Sequence, residues 1–224
     1  MGVPLLFKNF ITDYDNILIE SEKMKEKIDT LYLDLNCAIH PCCREETDES
    51  IMIQKIVQKI QVLDELVKPE NVFIAIDGVA PKGKMLQQRY RRYKSSFEDK
   101  SWDTNSITPG TPFMESLNSI LHKTFTHSRF TISDSNIPGE GEHKIMKHIK
   151  HKSTSNVIYG LDADLIILSM ISNNSIFLLR EKTEYNIENL NGEYIYLDID
   201  KLIQEISHKI PKVDKNILIN DFVF

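Results

Sequence analysis

Short apolar segments alternate with segments of helical spacing along this sequence, and that alternation is the strongest constraint on the fold. Two strand-like runs, "TLYLDLN" and "NVFIAIDG", flank the helix-like "SIMIQKIVQKIQVLDELV". The order repeats through "RFTISDS", "GEHKIMKHIKH", "NVIYGLD", "ADLIILSM" and "SIFLLRE", and "YIYLDIDKLIQEI" adds a strand and a helix. Strands that are apolar throughout are typical of parallel sheets buried on both faces. The pattern predicts an α/β fold whose mostly parallel sheet has helices on both faces.

Composition favours one globular domain over residues 1–224, because a chain of this length with 41% hydrophobic residues can bury a sizeable core. The net charge of −6 argues against bulk electrostatic coating of nucleic acid, so such contact needs a local basic patch. The sequence has no run of about eighteen apolar residues and no leader pattern, which argues against membrane insertion and secretion. Cys37, Cys42 and Cys43 are too clustered for a disulfide framework and favour a reducing, intracellular compartment.

Six acids stand where the predicted strands end or where a helix begins. They are Asp34, Asp77, Glu140, Glu142, Asp162 and Asp164. Ligands of open α/β sheets bind at the carboxyl ends of the strands, so we expect these side chains to converge. The alternative for any one of them is a helix cap or a turn residue, since a helix start favours acids.

Converging carboxylates repel one another unless divalent cations neutralise them. An oxygen-only ligand set, without histidine or cysteine, suits Mg²⁺ or Mn²⁺ and does not suit zinc. Two such ions in one site are typical of phosphodiester hydrolysis. The glycines around Glu140 and Glu142 allow close approach of backbone and phosphate. We therefore predict that both glutamates are metal ligands on a tight turn.

A basic segment, "PKGKMLQQRYRRYK", follows Asp77 closely and contains no acid. If it is helical, Lys84, Gln88, Arg91 and Arg92 share one face. Arginines form bidentate hydrogen bonds with phosphate, so this face is predicted to clamp a terminal phosphate. The alternative is an ordinary solvated helix face.

His40, in "DLNCAIH", has two readings of equal weight: stacking on an unpaired base, or a packed or surface histidine. The neighbouring "CAIHPCC" has zinc-ligand residue types, but three of its four candidates are too close in sequence to close a tetrahedron easily.

Several joined motifs resemble the N-terminal region of the XRN-type 5′→3′ exoribonucleases over nearly the whole chain. They are the "MGVP" start, "AIDGVAPKGKMLQQRYRRYK", "NSITPGTPFM", "IPGEGEHKIM", "IYGLDADLIIL" and "LLRE", in this order. The resemblance implies a PIN-like, Rossmann-like nuclease fold with two Mg²⁺ or Mn²⁺ ions. It implies that the six acids bind metal, that Lys84, Gln88, Arg91 and Arg92 form the pocket for a 5′-monophosphate, and that His40 stacks on the first bases.

The activity implied by the resemblance is hydrolysis of single-stranded, 5′-monophosphorylated RNA to mononucleotides. Family members continue past "DFV" into a "GNDFLP"-like motif with a further metal ligand, so we expect this chain to be cut short at its end. Two other functions stay open: a module that binds 5′-monophosphate RNA ends without cutting, and a DNA nuclease related to flap endonucleases. Cytoplasmic and nuclear members share these motifs; we favour the cytoplasm and predict no membrane partner.

Overall fold

The computed structural model describes residues 6–14, 16–97, 102–149, 154–172, 174–182 and 190–209. The chain start "MGVP" and the "NDFVF" end lie outside these residues. The described helices are α1 (Leu6–Asp13), α2 (Asn36–Cys43), α3 (Glu49–Val67), α4 (Lys82–Ser95), α5 (Pro112–Thr124), α6 (Gly141–Ile149), α7 (Asp164–Ile171) and α8 (Ile199–Lys209). The described strands are β1 (Leu18–Glu20), β2 (Thr30–Asp34), β3 (Asn71–Ala75), β4 (Phe130–Ser133), β5 (Asn156–Tyr159), β6 (Ile176–Glu181) and β7 (Tyr194–Asp198).

The chain forms two compact units, and it passes from the first to the second within β2. The first unit comprises Met1–Leu31 and Met146–Phe224, and the second comprises Tyr32–Ile145. None of these observations tests the predicted single nuclease domain over residues 1–224, which stays a prediction.

The second unit contains the parallel pair β3 and β4, whose register sets Val72 opposite Phe130 and Ala75 opposite Ser133. Strands β2 and β3 are neighbours, and the Leu35 N–H beyond the end of β2 donates to the Ala75 carbonyl at 2.9 Å. Helix α3 begins at an N-cap, because the Asp48 side chain accepts hydrogen bonds from the backbone of the first turn. Five apolar side chains of α3 at helical spacing are buried: Met52, Ile53, Ile56, Ile60 and Leu63.

The first unit contains the parallel pair β5 and β6, while β7 pairs antiparallel with both β6 and β1. Strands β5 and β7 are buried along their whole length, as the uninterrupted apolar runs predicted. Arg180 of β6 is also buried; its guanidinium donates to the Gly160 and Leu161 carbonyls and lies 4.4 Å from the centre of the Phe7 ring. These carbonyl and aromatic partners stabilise the buried positive charge of Arg180.

The predicted α/β class with mostly parallel strands is confirmed, and each predicted strand and helix has a counterpart. Three further elements escaped sequence reasoning: β1, α2 and α5. Helix α2 contains Pro41, a residue normally taken as a helix breaker, and it includes Cys37, Cys42 and Cys43. Helix α5 begins with a Thr111 cap and Pro112 in its first turn, a signal that the sequence carried and that was overlooked. Among the described residues, no helix has the length and apolarity to cross a bilayer.

Candidate functional site

Four of the six predicted acids belong to the second unit, and secondary structure boundaries position each of them. Asp34 is the last residue of β2, and Glu140 and Glu142 flank Gly141, the first residue of α6. Asp77 does not end its strand as predicted, because β3 stops at Ala75 and Asp77 follows two residues later. Asp34, Glu140 and Glu142 are each only 8% exposed. Carboxylates at this depth need hydrogen bonds or cations.

Gly141 brings the two aspartates against the start of α6. Its backbone N–H donates to Oδ1 of Asp77 at 2.6 Å. A Cβ at this position would lie 2.8 Å from Oδ1 of Asp34 and 3.4 Å from Oδ1 of Asp77, so a side chain would displace the carboxylates. The glycine between the two glutamates therefore allows the Asp34 and Asp77 carboxylates to lie close to the start of α6.

The turn before α6 is fixed to the chain beyond Asp77 by two backbone hydrogen bonds. The Gly78 N–H donates to the Gly139 carbonyl at 2.8 Å, and the Gly139 N–H donates to the Val79 carbonyl at 3.0 Å. Gly139 has a φ of 109°, a conformation that L side chains rarely adopt. These two hydrogen bonds fix the position of Glu140 relative to Asp77.

The glutamate pair is met by two basic side chains. Lys84 Nζ lies 2.7 Å from Oε2 of Glu140 and 3.8 Å from Oε1 of Glu142. His143 Nδ1 lies 3.3 Å and 3.6 Å from the same two oxygens. One ligand atom from each of Glu140, Glu142 and His143 falls within 4.8 Å of the others, which is close enough to hold one ion. The sequence argument for an oxygen-only set therefore overlooked a nitrogen donor, although "GEGEHK" places that histidine three residues after Glu140.

Two further side chains position Asp77. The Asp77 backbone N–H donates to Oδ1 of Asn36 at 3.0 Å. Lys144, buried on α6, donates from Nζ to the Ile76 carbonyl at 2.6 Å and to the Asp134 carbonyl at 2.8 Å. The ammonium thus ties the chain beside Asp77 to the end of β4. Sequence reasoning missed both residues, because their partners are remote along the chain.

Burial raises the pKa of Asp77, and the Glu140 carboxylate raises it further. The hydrogen bond from Gly141 and the charges of Lys144 and Arg91 act in the opposite direction. Asp34 accepts a hydrogen bond from the thiol of Cys37, Sγ to Oδ2, at 3.4 Å. The crowded acids therefore form a site in which positive charge is stabilising.

The predicted phosphate pocket lies on α4, whose sequence is helical as expected. Lys84, Gln88 and Arg92 are half-buried, whereas Arg91 is exposed. Arg92 Nη2 donates to Oε1 of Gln88 at 3.3 Å, and burial lowers the pKa of Arg92, with the charge of Arg91 acting in the same direction. Lys84 links this helix face directly to Glu140.

The other predicted site residues have these places. Asp162 is exposed just after β5, and Asp164 is the first residue of α7; both belong to the first unit. His40 is exposed in the last turn of α2, in the second unit. Their predicted roles in metal binding and base stacking stay predictions.

The residues present fit a divalent cation. Asp34, Asp77, Glu140 and Glu142 supply oxygen donors of the kind that Mg²⁺ and Mn²⁺ prefer, and His143 adds an imidazole that suits transition metals. The Lys84 ammonium between the glutamates shows directly that the pair accepts a cation. Fold and site together define an α/β protein with a carboxylate cluster that could bind metal.

Comparison with known proteins identifies the family. The family described as XRN 5'-3' exonuclease N-terminus matches residues 1–101 and 94–182. The chain is 35% identical to the 5'-3' exoribonuclease 2 of Cryptococcus neoformans over 263 residues, covering 81% of this chain and 23% of that protein. It is 35% identical to the 5'-3' exoribonuclease 1 of Saccharomyces cerevisiae over 264 residues, covering 93% of this chain and 17% of that protein. The chain belongs to the XRN exonuclease family, and the resemblance inferred from its motifs is confirmed.

The chain spans a quarter or less of the length of these two relatives. Among solved structures, it is similar to the T5 D15 protein co-crystallised with metal ions, with a TM-score of 0.47 and 12% identity. That similarity covers 87% of this chain and 74% of the T5 protein.

Proposed function

We propose that this chain is the nuclease region of a 5′→3′ exoribonuclease that hydrolyses 5′-monophosphorylated RNA to mononucleotides. The observation that carries the proposal is the convergence of Asp34, Asp77, Glu140 and Glu142 around the start of α6, with the cationic face of α4 in contact through Lys84. Membership of the XRN family and relatives named 5'-3' exoribonucleases support it.

The carboxylates would hold two ions of Mg²⁺ or Mn²⁺, with Asp162 and Asp164 completing the ligand set that the family motifs indicate. Such ions supply Lewis-acid activation of water and stabilisation of the leaving oxygen. Within the chain, Gly141 and Lys144 set the position of Asp77 before any ion binds. Preorganisation of this kind reduces the rearrangement needed at the moment of reaction.

The face of α4 would bind the 5′-phosphate. Arg91 and Arg92 supply guanidinium groups for bidentate phosphate contacts, and Gln88 adds a neutral donor between cations. A pocket built by one helix face beside the acids fits one phosphate, so a triphosphate or a capped end should bind poorly. His40 would stack on an unpaired base.

One observation favours a second candidate, a module that binds 5′-monophosphate RNA ends without cutting. The Lys84 ammonium already lies against both glutamates. This ammonium neutralises part of the negative charge of the two glutamates, which divalent ions would otherwise neutralise.

The test is degradation of one 3′-labelled RNA carrying a 5′-monophosphate, a 5′-triphosphate or a 5′-hydroxyl, each with Mg²⁺ and with a chelator. We expect Mg²⁺-dependent release of mononucleotides from the monophosphate form, with little from the other two. A DNA strand of the same sequence tests the flap-endonuclease alternative, which predicts equal or faster cleavage of DNA. Tighter binding of the monophosphate form without cleavage would establish the end-binding module instead.

Matched variants separate the two parts of the site. Glu142→Gln should abolish cleavage, whereas Glu115→Gln, at an exposed acid of α5, should not. Arg92→Ala should remove the preference for the monophosphate, while Arg89→Ala, at an exposed position of the same helix, should keep it. If Arg92→Ala kept the same preference for the 5′-monophosphate as wild type, the pocket would be refuted.

A further inference from the structure

Helix α4 has its polar side turned inward and its apolar side turned to solvent. The half-buried residues on its inner side are Lys84, Gln88, Arg92 and Ser95, at spacings of four, four and three. Leu86, Tyr90, Tyr93 and Phe97 follow at spacings of four, three and four, and are 73%, 70%, 64% and 73% exposed. We call these four residues the apolar stripe; its last member lies just beyond the end of the helix. Soluble proteins normally show the reverse arrangement.

The stripe runs along the side of α4 opposite to the predicted phosphate pocket. At 3.6 residues per turn, the two sets of residues lie about half a turn apart around the helix axis. The Tyr93 and Phe97 rings already pack edge to face with centroids 5.0 Å apart. The stripe is therefore a continuous apolar surface and not a scatter of single side chains.

Helix α4 is also poorly supported by the rest of its unit. None of its residues is buried. Its contacts include the Lys84 ion pair with Glu140 and a 3.3 Å hydrogen bond between the Ser95 and Thr104 hydroxyls. Helices of this length are marginal in water when tertiary packing on an apolar face does not stabilise them. A partner on the stripe would supply that packing.

The spacing and the charges of α4 indicate the chemistry of the partner. Alternating spacings of four and three are those of the a and d positions in a helix that packs against another helix. The positions flanking this seam include Arg89 on one side and Lys94 on the other. Residues 81–97 contain no aspartate or glutamate. Glutamates at the flanking positions of a partner helix would complement these cations.

Two other occupants fit less well. A second copy of α4 would set Arg89 and Lys94 against the same cations, and like charges at flanking positions oppose pairing. A nucleic acid strand would meet a stripe that contains an aliphatic Leu86, and it would lie on the side of α4 turned away from Lys84, Gln88 and Arg92. Nucleic acid binding therefore belongs to the inner side of the helix.

We propose that the apolar stripe of α4 is a docking surface for an acidic amphipathic helix carried by another protein. The partner would place apolar side chains between Leu86 and Phe97 and acidic side chains against Arg89 and Lys94. The surface is separate from the proposed catalytic site and does not depend on its activity.

The probe is a fluorescent three-heptad peptide with leucine at a and d and glutamate at e and g, titrated with the whole chain. One control peptide has serine at a and d, and the other has lysine at e and g. We expect the leucine–glutamate peptide to bind at least tenfold more tightly than either control. The Tyr90→Gln/Tyr93→Gln double variant, which keeps α4 polar and helix-favouring, should lose at least tenfold in affinity. Met85→Gln, at a 49% exposed apolar residue outside the stripe, should bind as wild type.

Four results would overturn the proposal. If the serine peptide bound as tightly as the leucine–glutamate peptide, the binding would come from charge alone. If the double variant bound the leucine–glutamate peptide as tightly as wild type, the peptide would bind outside the apolar stripe. Displacement of the peptide by a 5′-hydroxyl single-stranded RNA, together with loss of RNA binding in the double variant, would make the stripe a nucleic acid surface. A concentration-dependent dimer in sedimentation that the double variant abolishes would make it a self-interface. Circular dichroism of both variants checks that the fold is retained.

Discussion

Lys144 offers the sharpest test of how the acidic site is positioned, because its ammonium is buried and its acceptors are backbone carbonyls. Nζ donates to the Ile76 carbonyl at 2.6 Å and to the Asp134 carbonyl at 2.8 Å. Lys144→Met keeps most of the side-chain volume and removes the charge and both hydrogen bonds. The change leaves one buried and one partly buried carbonyl without this donor.

The expected loss follows from these two contacts. A buried acceptor left unsatisfied costs about 1–3 kcal/mol, and the partly buried one costs less. Burial lowers the pKa of Lys144, so desolvation of the ammonium is itself unfavourable, and methionine relieves that cost. The two effects leave a net decrease of about 2 kcal/mol in the free energy of unfolding. With a typical urea slope, the midpoint falls by roughly 1 M.

Trp102 is the single tryptophan and packs edge to face on Phe113 within the same unit, so its fluorescence reports unfolding there. Urea titrations at pH 7 in a chelator would compare wild type, Lys144→Met and the exposed control Lys147→Met on the same helix. The control should stay within about 0.5 kcal/mol of wild type. If the free energy of unfolding of Lys144→Met were also within about 0.5 kcal/mol of wild type, the reasoning that this ammonium holds the chain beside Asp77 would be refuted.

Three further predictions concern the same unit. In chelator at pH 7, Asp77→Asn should unfold at a higher urea concentration than wild type, because burial raises the pKa of Asp77 and makes its ionised form costly. Since the folded pKa lies above the unfolded value of 3.8, the difference should shrink as the pH falls and vanish below 3.8; a difference that does not change with pH would contradict this. Gly141→Ala should weaken Mn²⁺ binding about tenfold in calorimetry, because its Cβ would displace the Asp34 carboxylate; unchanged affinity would exclude Asp34 as a ligand. Arg129→Ala should destabilise the unit by about 1 kcal/mol, since both terminal guanidinium nitrogens donate to the half-buried Asp64 carboxylate. A urea midpoint equal to that of wild type, followed by Trp102 fluorescence, would show that water replaces the pair.

Local pattern was enough to predict most elements of this fold, because a strand or helix is written in the spacing of neighbouring residues. The apolar run of β5 and the buried spacing of α3 are examples. The pattern failed where a local rule was broken: α2 contains Pro41, and β1 has only three residues. The end of β3 was also misplaced, since the apolar run continues to Ile76 after the strand has stopped.

By itself, the sequence determined the order of strands and helices, the family, and the placement of acids where strands end and helices begin, because each depends on residues close together in the chain or on joined motifs. Only the tertiary structure decided which groups meet: Lys84 with Glu140 across 56 positions, and Lys144 with Ile76 across 68. It also decided that α4 turns Lys84 and Arg92 toward the rest of its unit and leaves the apolar stripe exposed, against the usual rule. Such contacts arise from the packing of remote segments, and the spacing of residues within one segment does not encode them.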